Sequence, residues 1–459
     1  MSDMNNATIR PLNPDPHPGR ALGFSALLAI ALGNVFSASV YSLQAPATGL
    51  TGRSAWLAFG FAVIIGFITI VPYLLVAGAL VFSGGDFSLV QYGLGKTASG
   101  IFAWNFILMC IGPAISVAAL GGYVLTLWPG APGKWIGILI VVLIFILNIT
   151  PIKTVSNAQN IMFFVLCVAT AVYVIYGLFH MNPGAFDFGA ENYFSGGTSG
   201  FIKASTTFTA TTSFYVQVYF LGMFAKNPRK HIPKAMLITA IVIFFLYPLI
   251  TLVNANTLPW EQTVGQTIVG TARSLMPFGL FVFFVICGPF LATATTLNAG
   301  FMGLSKPFTS GAETGWLPSA FTKKNKAGAP VWAMALLLAV AVIPVLCTDN
   351  IMIIANATIL VQSLIKLFPL IAAWRIPKLF PQYWETGLFR KMPRSVFYII
   401  MTICTVVQLA LLISSMTNLA AWQVGVGLGL FCLLTVIALI WSKARGDKID
   451  TSIDYDTLS

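Results

Sequence analysis

Charge is what this sequence lacks. Only 8% of its 459 residues are charged and 57% are hydrophobic, with a mean hydropathy of +0.86, whereas soluble domains carry roughly 25% charged residues. That shortage excludes an ordinary soluble domain and points to a chain that crosses a membrane many times. Acids are scarcer still: the 13 Asp and Glu residues are all expected in loops or tails, none inside a hydrophobic run. The three histidines, His17, His180 and His231, also fall at ends or in loops. Intramembrane catalysis needs carboxylate pairs, histidine clusters or metal ligands, so no enzyme is expected. Proton pumps and carriers of polyvalent cations place acids within the bilayer, which argues against a strongly cationic substrate as well. The six cysteines lie in hydrophobic runs without metal-ligand spacing and read as small buried apolar residues. Neither a disulfide, a metal cluster nor a cofactor is expected.

What is present is hydrocarbon in long stretches. A helix needs about 20 residues to cross a bilayer, and suitable runs fall near 21–45, 54–81, 99–128, 135–149, 157–179, 204–224, 235–254, 274–305, 329–347, 350–374, 395–417 and 420–442. Twelve crossings put both termini on one side. Counted loop by loop, that side carries 20 of the Lys and Arg residues and the other only Arg53, Lys134, Lys203 and Arg273. By the positive-inside rule the termini are cytoplasmic, in the plasma membrane or, in a Gram-negative bacterium, the inner membrane. Topology thus accounts for the net charge of +12, and no nucleic-acid partner is implied. Residues 1–20 and 443–459 are expected as cytoplasmic tails around a membrane domain at 21–442.

Within the bilayer the remaining polarity is uncharged and concentrated in three places. The first run contains Gly33-Asn34-Val35-Phe36-Ser37-Ala38-Ser39, the sixth contains "ASTTFTATTSF" (Ala204 to Phe214) and the eighth contains "ATATTLNAG" (Ala292 to Gly300). Each cluster reads either as helix–helix contact through Ser and Thr or as backbone leaving the helix where it lines a cavity. Runs one and six are not an arbitrary pair. Many secondary transporters consist of two inverted five-helix repeats whose first helices are interrupted at mid-membrane. Broken helices present free N–H groups and a positive dipole end to an anion, and free carbonyls to a cation.

Three segments carry a resemblance to a known family. "SGGDFSLVQYGLG" (Ser83 to Gly95) resembles the Gly-Gly-aromatic entry to the third helix of the amino acid–polyamine–organocation superfamily. "KNPRKHIPKA" (Lys226 to Ala235) is similar to its loop after the sixth helix. "GWLPSAFTKKNKAGAPVWA" (Gly315 to Ala333) is similar to the loop after the eighth, with Lys306 where the family usually has Arg. The resemblance implies an all-α membrane protein with a leucine-transporter-like fold. Repeat one would occupy about 21–180, repeat two about 201–375, and two extra helices about 395–442.

It also implies a small-molecule substrate held at the broken helices and moved by alternating access. Ser37, Ala38 and Ser39 would meet the polar end of the substrate, and Thr209, Thr212, Phe214 and Gln217 would form the facing wall, with Phe36 and Tyr215 as gating aromatics. The family's usual Gly-Ser-Gly at the first break is replaced by Ser37-Ala38-Ser39, and its Phe-x-Gly-x-Glu by Phe214-Tyr215-Val216-Gln217. Those departures leave an amino acid, an amine, an amino-acid derivative and a small neutral solute all open, and a channel or a transport-like receptor as other classes. For coupling, the fold's sodium-dependent members imply a cage of the Gly33, Phe36 and Ala292 carbonyls with the Thr295 and Thr296 hydroxyls, oxygens that suit a hard cation. Na⁺, H⁺ and exchange are the alternatives. Lys366, nine residues before Arg375 and so about 13 Å along a helix, either reaches the cytoplasmic surface or serves a proton or substrate path.

Overall fold

A computed structural model of the chain describes residues 21–36, 38–82, 84–209, 211–348, 360–417, 419–450 and 452. Among them, eight helical runs are long and apolar enough to cross a bilayer, and Phe24–Val35, Gly133–Asn148 and Val331–Cys347 are shorter apolar helices. The fold is all-helical apart from an isolated bridge between Leu22 and Ala225.

In chain order, the first half comprises α1 (Phe24–Val35), α2 (Ala38–Ser42), α3 (Gln44–Thr51), α4 (Ala55–Ala79), the short α5 (Asp86–Leu94), α6 (Lys96–Met109), α7 (Pro113–Leu127), α8 (Gly133–Asn148) and α9 (Ile152–Phe179). The second half opens with α10 (Gly197–Thr209), a 3₁₀ helix η1 (Phe214–Phe224) and α11 (Pro228–Asn256). The short α12 (Trp260–Thr263) and α13 (Ile268–Leu275) lead to α14 (Phe278–Val285), which passes through a π turn at Ile286–Phe290 into α15 (Leu291–Glu313). Then come α16 (Val331–Cys347), α17 (Leu367–Leu379), α18 (Pro381–Glu385), α19 (Arg394–Thr417) and α20 (Ala421–Arg445).

The first and sixth runs are both interrupted. Helix α1 stops at Val35 and α2 begins at Ala38, while α10 stops at Thr209 and η1 begins at Phe214. Ser37 and Ala210 lie outside the described residues. The two runs lie antiparallel. At one end, the Leu22 N–H donates to the Phe224 carbonyl and the Lys226 N–H to the Leu22 carbonyl, both at 2.8 Å. At the other, the Arg53 and Ser54 N–H groups donate to the Asn192 and Tyr193 carbonyls at 3.0 and 2.9 Å. Gly196 and Gly200 sit so close to the Leu50 carbonyl that a Cβ on either would collide with it. Helix α1 has 12 residues and η1 has 11. At the usual rise per residue, α1 is about 18 Å long and η1 is about 22 Å long. Ends pinned together and halves of similar length bring the two interruptions to the same depth.

Around this pair, α4, α9, α11 and α15 complete the interior, while α19 and α20 bury few side chains and lie at the periphery. Apolar residues dominate the outer surface, among them Phe164 at 70% exposure and Phe245 at 68%, as expected where lipid replaces water. A concavity of about 870 Å³ between α4, α10 and α11 is part of that surface, walled by Phe61, Phe201, Phe244 and Phe245. It suits lipid chains.

One expectation fails here. Asp86 does not lie in a solvated loop: it starts α5 and is buried at 3% exposure. The chain turns inward at Gly84-Gly85. Gly85 has φ +56, and a Cβ there would meet the Phe220 ring, so only glycine admits the acid so deeply.

Helices α7 and α8 meet through glycines. A Cβ on Gly137 would lie 2.6 Å from the Val117 carbonyl oxygen, and one on Gly121 would lie 2.8 Å from that of Gly133, a small-residue contact typical of membrane helices. Gly122, one residue on, has nothing within 4 Å of such a Cβ. Gly137→Leu should destabilise the fold by about 1–3 kcal/mol and lower the melting temperature of the purified protein, whereas Gly122→Leu should leave it unchanged. Equal melting temperatures for the two variants would contradict this packing.

Candidate substrate and ion site

Interrupting a helix in a membrane strands backbone groups, and the surroundings here answer for them. The last carbonyl of α1, on Val35, accepts a 2.6 Å hydrogen bond from the Tyr247 hydroxyl on α11. Phe36 turns off the helix axis with ψ +69 and packs edge-on against both Phe163 and Tyr247. Tyr247 also meets Phe59 at 4.7 Å between centroids, and Phe59 stacks on Phe208 of α10 at 4.0 Å. An aromatic chain thereby joins the first interruption to the helix that leads into the second.

On the α10 side, the Thr209 hydroxyl donates back to the Thr206 carbonyl. That of Thr212 lies 3.1 Å from the Thr209 carbonyl and 3.4 Å from that of Ala62, pressed into a notch left by Gly66. Hydroxyls bonding to their own backbone compete with the helix, and five threonines between Thr206 and Thr212 explain why it ends here. Beyond the gap the chain continues as η1, whose 11 residues exceed the usual one-turn length of such helices.

Ala38 sits in the first turn of α2 and Ser39 beside it is half-buried; Phe214 and Thr209 are half-buried, and Thr212 is fully buried. Gln217 packs against Gly303, with its Oε1 unpartnered, and the Tyr215 hydroxyl is likewise buried without a partner. Of the first break's polar trio, Ser37 lies outside the described residues. Lys366 does not extend to the surface. It is half-buried at the start of α17, and its ammonium donates to Ser213 Oγ at 3.4 Å, at the second interruption.

The five oxygens expected as a cation cage do converge. Thr295 Oγ1 lies 2.8 Å from the Ala292 oxygen and 3.3 Å from that of Gly33. Thr296 Oγ1 lies 2.9 Å from Ala292, 3.2 Å from Gly33 and 3.3 Å from Phe36. Two hydroxyl protons serve five contacts, so three of them bring lone pairs together with no proton between. Neighbouring ligands of a cation held by oxygens at about 2.4 Å stand about 3.4 Å apart. The three contacts to Gly33 and Phe36, at 3.2–3.3 Å, come near that spacing, while the two to Ala292, at 2.8 and 2.9 Å, have the length of ordinary intrahelical hydrogen bonds.

Several polar groups at this depth had no local signature in the sequence. Asn148 donates to Asn298 and Asn298 to Gln159, each at 2.8 Å, a ladder across α8, α15 and α9. Its far end, Gln159 Nε2, has no partner and occupies the place that a Cβ on Gly33 would take. Both amide atoms of Asn34 are buried and unpartnered too. A membrane interior tolerates few such atoms, and these cluster beside the first interruption.

The sequence matches the amino acid permease family over residues 22–443. An uncharacterized transporter of Mycobacterium tuberculosis is 24% identical over 319 residues, covering 67% of this chain and 70% of the relative. The uncharacterized amino acid permease YvbW of Bacillus subtilis is 23% identical over 335 residues, 67% of this chain and 72% of its own. The serine/threonine exchanger SteT of the same organism is 24% identical over 273 residues, 56% and 60% of the two chains. With a match running from the start of the first membrane helix to the end of the last, this multi-pass membrane protein belongs to the amino acid permease family of the amino acid–polyamine–organocation superfamily, whose members are transporters and not enzymes.

Proposed function

We propose that this protein is a secondary transporter carrying a small amino acid or related amine across the plasma membrane by alternating access. The observation that carries the reading is the antiparallel pair of interrupted helices with their breaks at one depth. In this reading the chain crosses the membrane twelve times, with helices one to five and six to ten as inverted repeats and both termini cytoplasmic, in keeping with its Lys and Arg distribution. Ser37, Ala38 and Ser39 take the polar end of the substrate, and Thr209, Thr212, Phe214 and Gln217 line the opposite wall, with Phe36 and Tyr215 gating. The free amide atoms of Asn34 and Gln159 add hydrogen-bonding capacity there. A relative that exchanges serine and threonine favours a small polar amino acid, which fits hydroxyl-rich walls.

Uptake of labelled L-serine and L-threonine into proteoliposomes, competed by the other amino acids, tests this directly. Saturable uptake with counter-exchange is expected. Flux that never saturates would point to a channel, and binding without uptake to a receptor. Ala38→Leu adds bulk where the substrate meets the backbone and should abolish uptake while the protein remains monodisperse; normal uptake by that variant would remove residues 37–39 from the site.

For coupling, the convergence of five oxygens supports Na⁺ at Gly33, Phe36, Ala292, Thr295 and Thr296. Uptake should then rise with external Na⁺. Thr296→Val deletes a ligand and should raise the Na⁺ requirement by at least the roughly 10-fold that losing even an outer-shell partner costs, whereas Thr296→Ser should stay near the parent. Substrate and ion share the first break, so each should tighten the other by the same factor. Equal uptake in sodium, potassium and choline buffers would eliminate the sodium site and leave exchange or proton coupling.

A further inference from the structure

Among the described residues, Asp86 and Lys366 are a buried acid and a base that the substrate and ion sites do not use, and they share a cavity. Helices α5 and α17 run side by side in the same direction. Gly93 lets them touch, since a Cβ there would lie 2.6 Å from that of Ala372, and Arg375 Nη1 donates to the Gly93 carbonyl at 2.8 Å. Asp86 precedes Gly93 by seven residues and Lys366 precedes Arg375 by nine. Those separations set Asp86 about 10 Å back along α5 and Lys366 about 13 Å back along its own helix. Both therefore arrive at the same end of the pair. There they line a cavity of about 20 Å³ together with Tyr73, Met109, Ser213 and Gln408, room for about one water.

From this geometry we propose that Asp86 is a proton-carrying site with Lys366 as its counter-charge, loaded and unloaded as Lys366, held to Ser213 at the second interruption, swings away from the acid and returns. The inference rests on the transporter reading above, because it is the rocking of η1 against α17 that separates the groups. While Lys366 is held to Ser213, its ammonium and the carboxylate belong to residues that line the same small cavity. Asp86 Oδ1 has no hydrogen-bond partner, so the ion depends on Lys366 and on the Tyr73 hydroxyl beside it. When Ser213 moves away with Lys366, the buried carboxylate loses its counter-charge and its ionised form is destabilised. Asp86 then takes a proton from hydronium on the open side, one O–H bond breaking there as another forms on the carboxylate, and a water molecule is left. Closure returns the cation and releases that proton to the other side.

The surroundings add few rival groups. From α4 comes Tyr73, from η1 Tyr219 and from α19 Cys404, while α6 contributes only Met109 to the cavity. On α15, Lys306 is turned onto the Phe224 ring at 4.2 Å, and Glu313 pairs with Lys324 at 3.9 Å. Burial pushes the Asp86 carboxyl up to about 8, with Lys366 and the Tyr73 hydroxyl drawing it back.

Infrared spectra of the purified full-length protein need no substrate. Between about pH 6 and about pH 9, which bracket that value, a protonated-carboxyl band should fade in the parent and be missing throughout in Asp86→Asn. In Lys366→Met, loss of the cation should carry the fading at least about one pH unit higher. Asp86→Glu should restore a titrating band if the parent fold is kept. A parent spectrum unchanged in Asp86→Asn, or equal midpoints in the parent and Lys366→Met, would overturn the proposal. In proteoliposomes containing a pH-sensitive dye, L-serine should drive proton movement in the parent. In Asp86→Asn, serine flux should lose its pH dependence whatever its rate, and a retained pH profile would also overturn the proposal. If no amino acid is carried but the band titrates as expected, the transporter reading fails while Asp86 stands as a proton site; amino acid exchange without the band upholds the transporter reading and removes the proton site.

Discussion

A backbone polar group inside a bilayer has no water to turn to, and the architecture of this protein follows from that constraint. Two helices are broken at the same depth, and each break frees carbonyls and amides that something else must satisfy. Tyr247 takes the Val35 carbonyl. Thr295 and Thr296 crowd the Gly33 and Phe36 carbonyls. Lys366 reaches Ser213 across the second break. The groups that satisfy these breaks come from α11, α15 and the start of α17, so the breaks are also where separate helices are tied together.

The satisfaction is incomplete at the breaks themselves. Asn34, Gln159, Tyr215 and Gln217 keep buried polar atoms without partners, and all lie on or beside the interrupted helices. Elsewhere in the membrane, threonines and asparagines mostly bond to the carbonyl three or four residues back, which satisfies them within one helix. A surplus of unpaired donors and acceptors on a carbonyl-rich seam is chemistry suited to a polar guest small enough to fit between two helices.

How much of this could be read from the sequence varied with how local each signal is. The breaks were legible because Ser37-Ala38-Ser39 and the Thr206–Thr212 cluster interrupt hydrocarbon within a few residues. The five-oxygen cluster came through family resemblance, since nothing in the spacing of Gly33 and Thr296 says that they meet. Asp86 was misread because an acid next to Gly84-Gly85 looks like a loop residue. The better clue lay after it, in the uncharged "FSLVQYGL" that makes an exposed position costly. The Asn148–Asn298–Gln159 ladder was invisible, since its amides come from three helices and none is unusual in its own segment. Nor does composition distinguish a 3₁₀ helix from an α-helix over Phe214–Phe224.

That last element has a mechanical side. Eleven residues wound as a 3₁₀ helix rise about 2.0 Å each, against about 1.5 Å in an α-helix, so η1 is stretched by about 5 Å relative to its α form. Its far end is anchored by the Leu22–Phe224 and Lys226–Leu22 hydrogen bonds and by Lys306 over Phe224. Relaxing the coil would therefore draw Ser213 and the residues around it toward that anchor by about one helical turn. The segment is thus a drawn-out coil that holds about 5 Å of extra length in the same 11 residues.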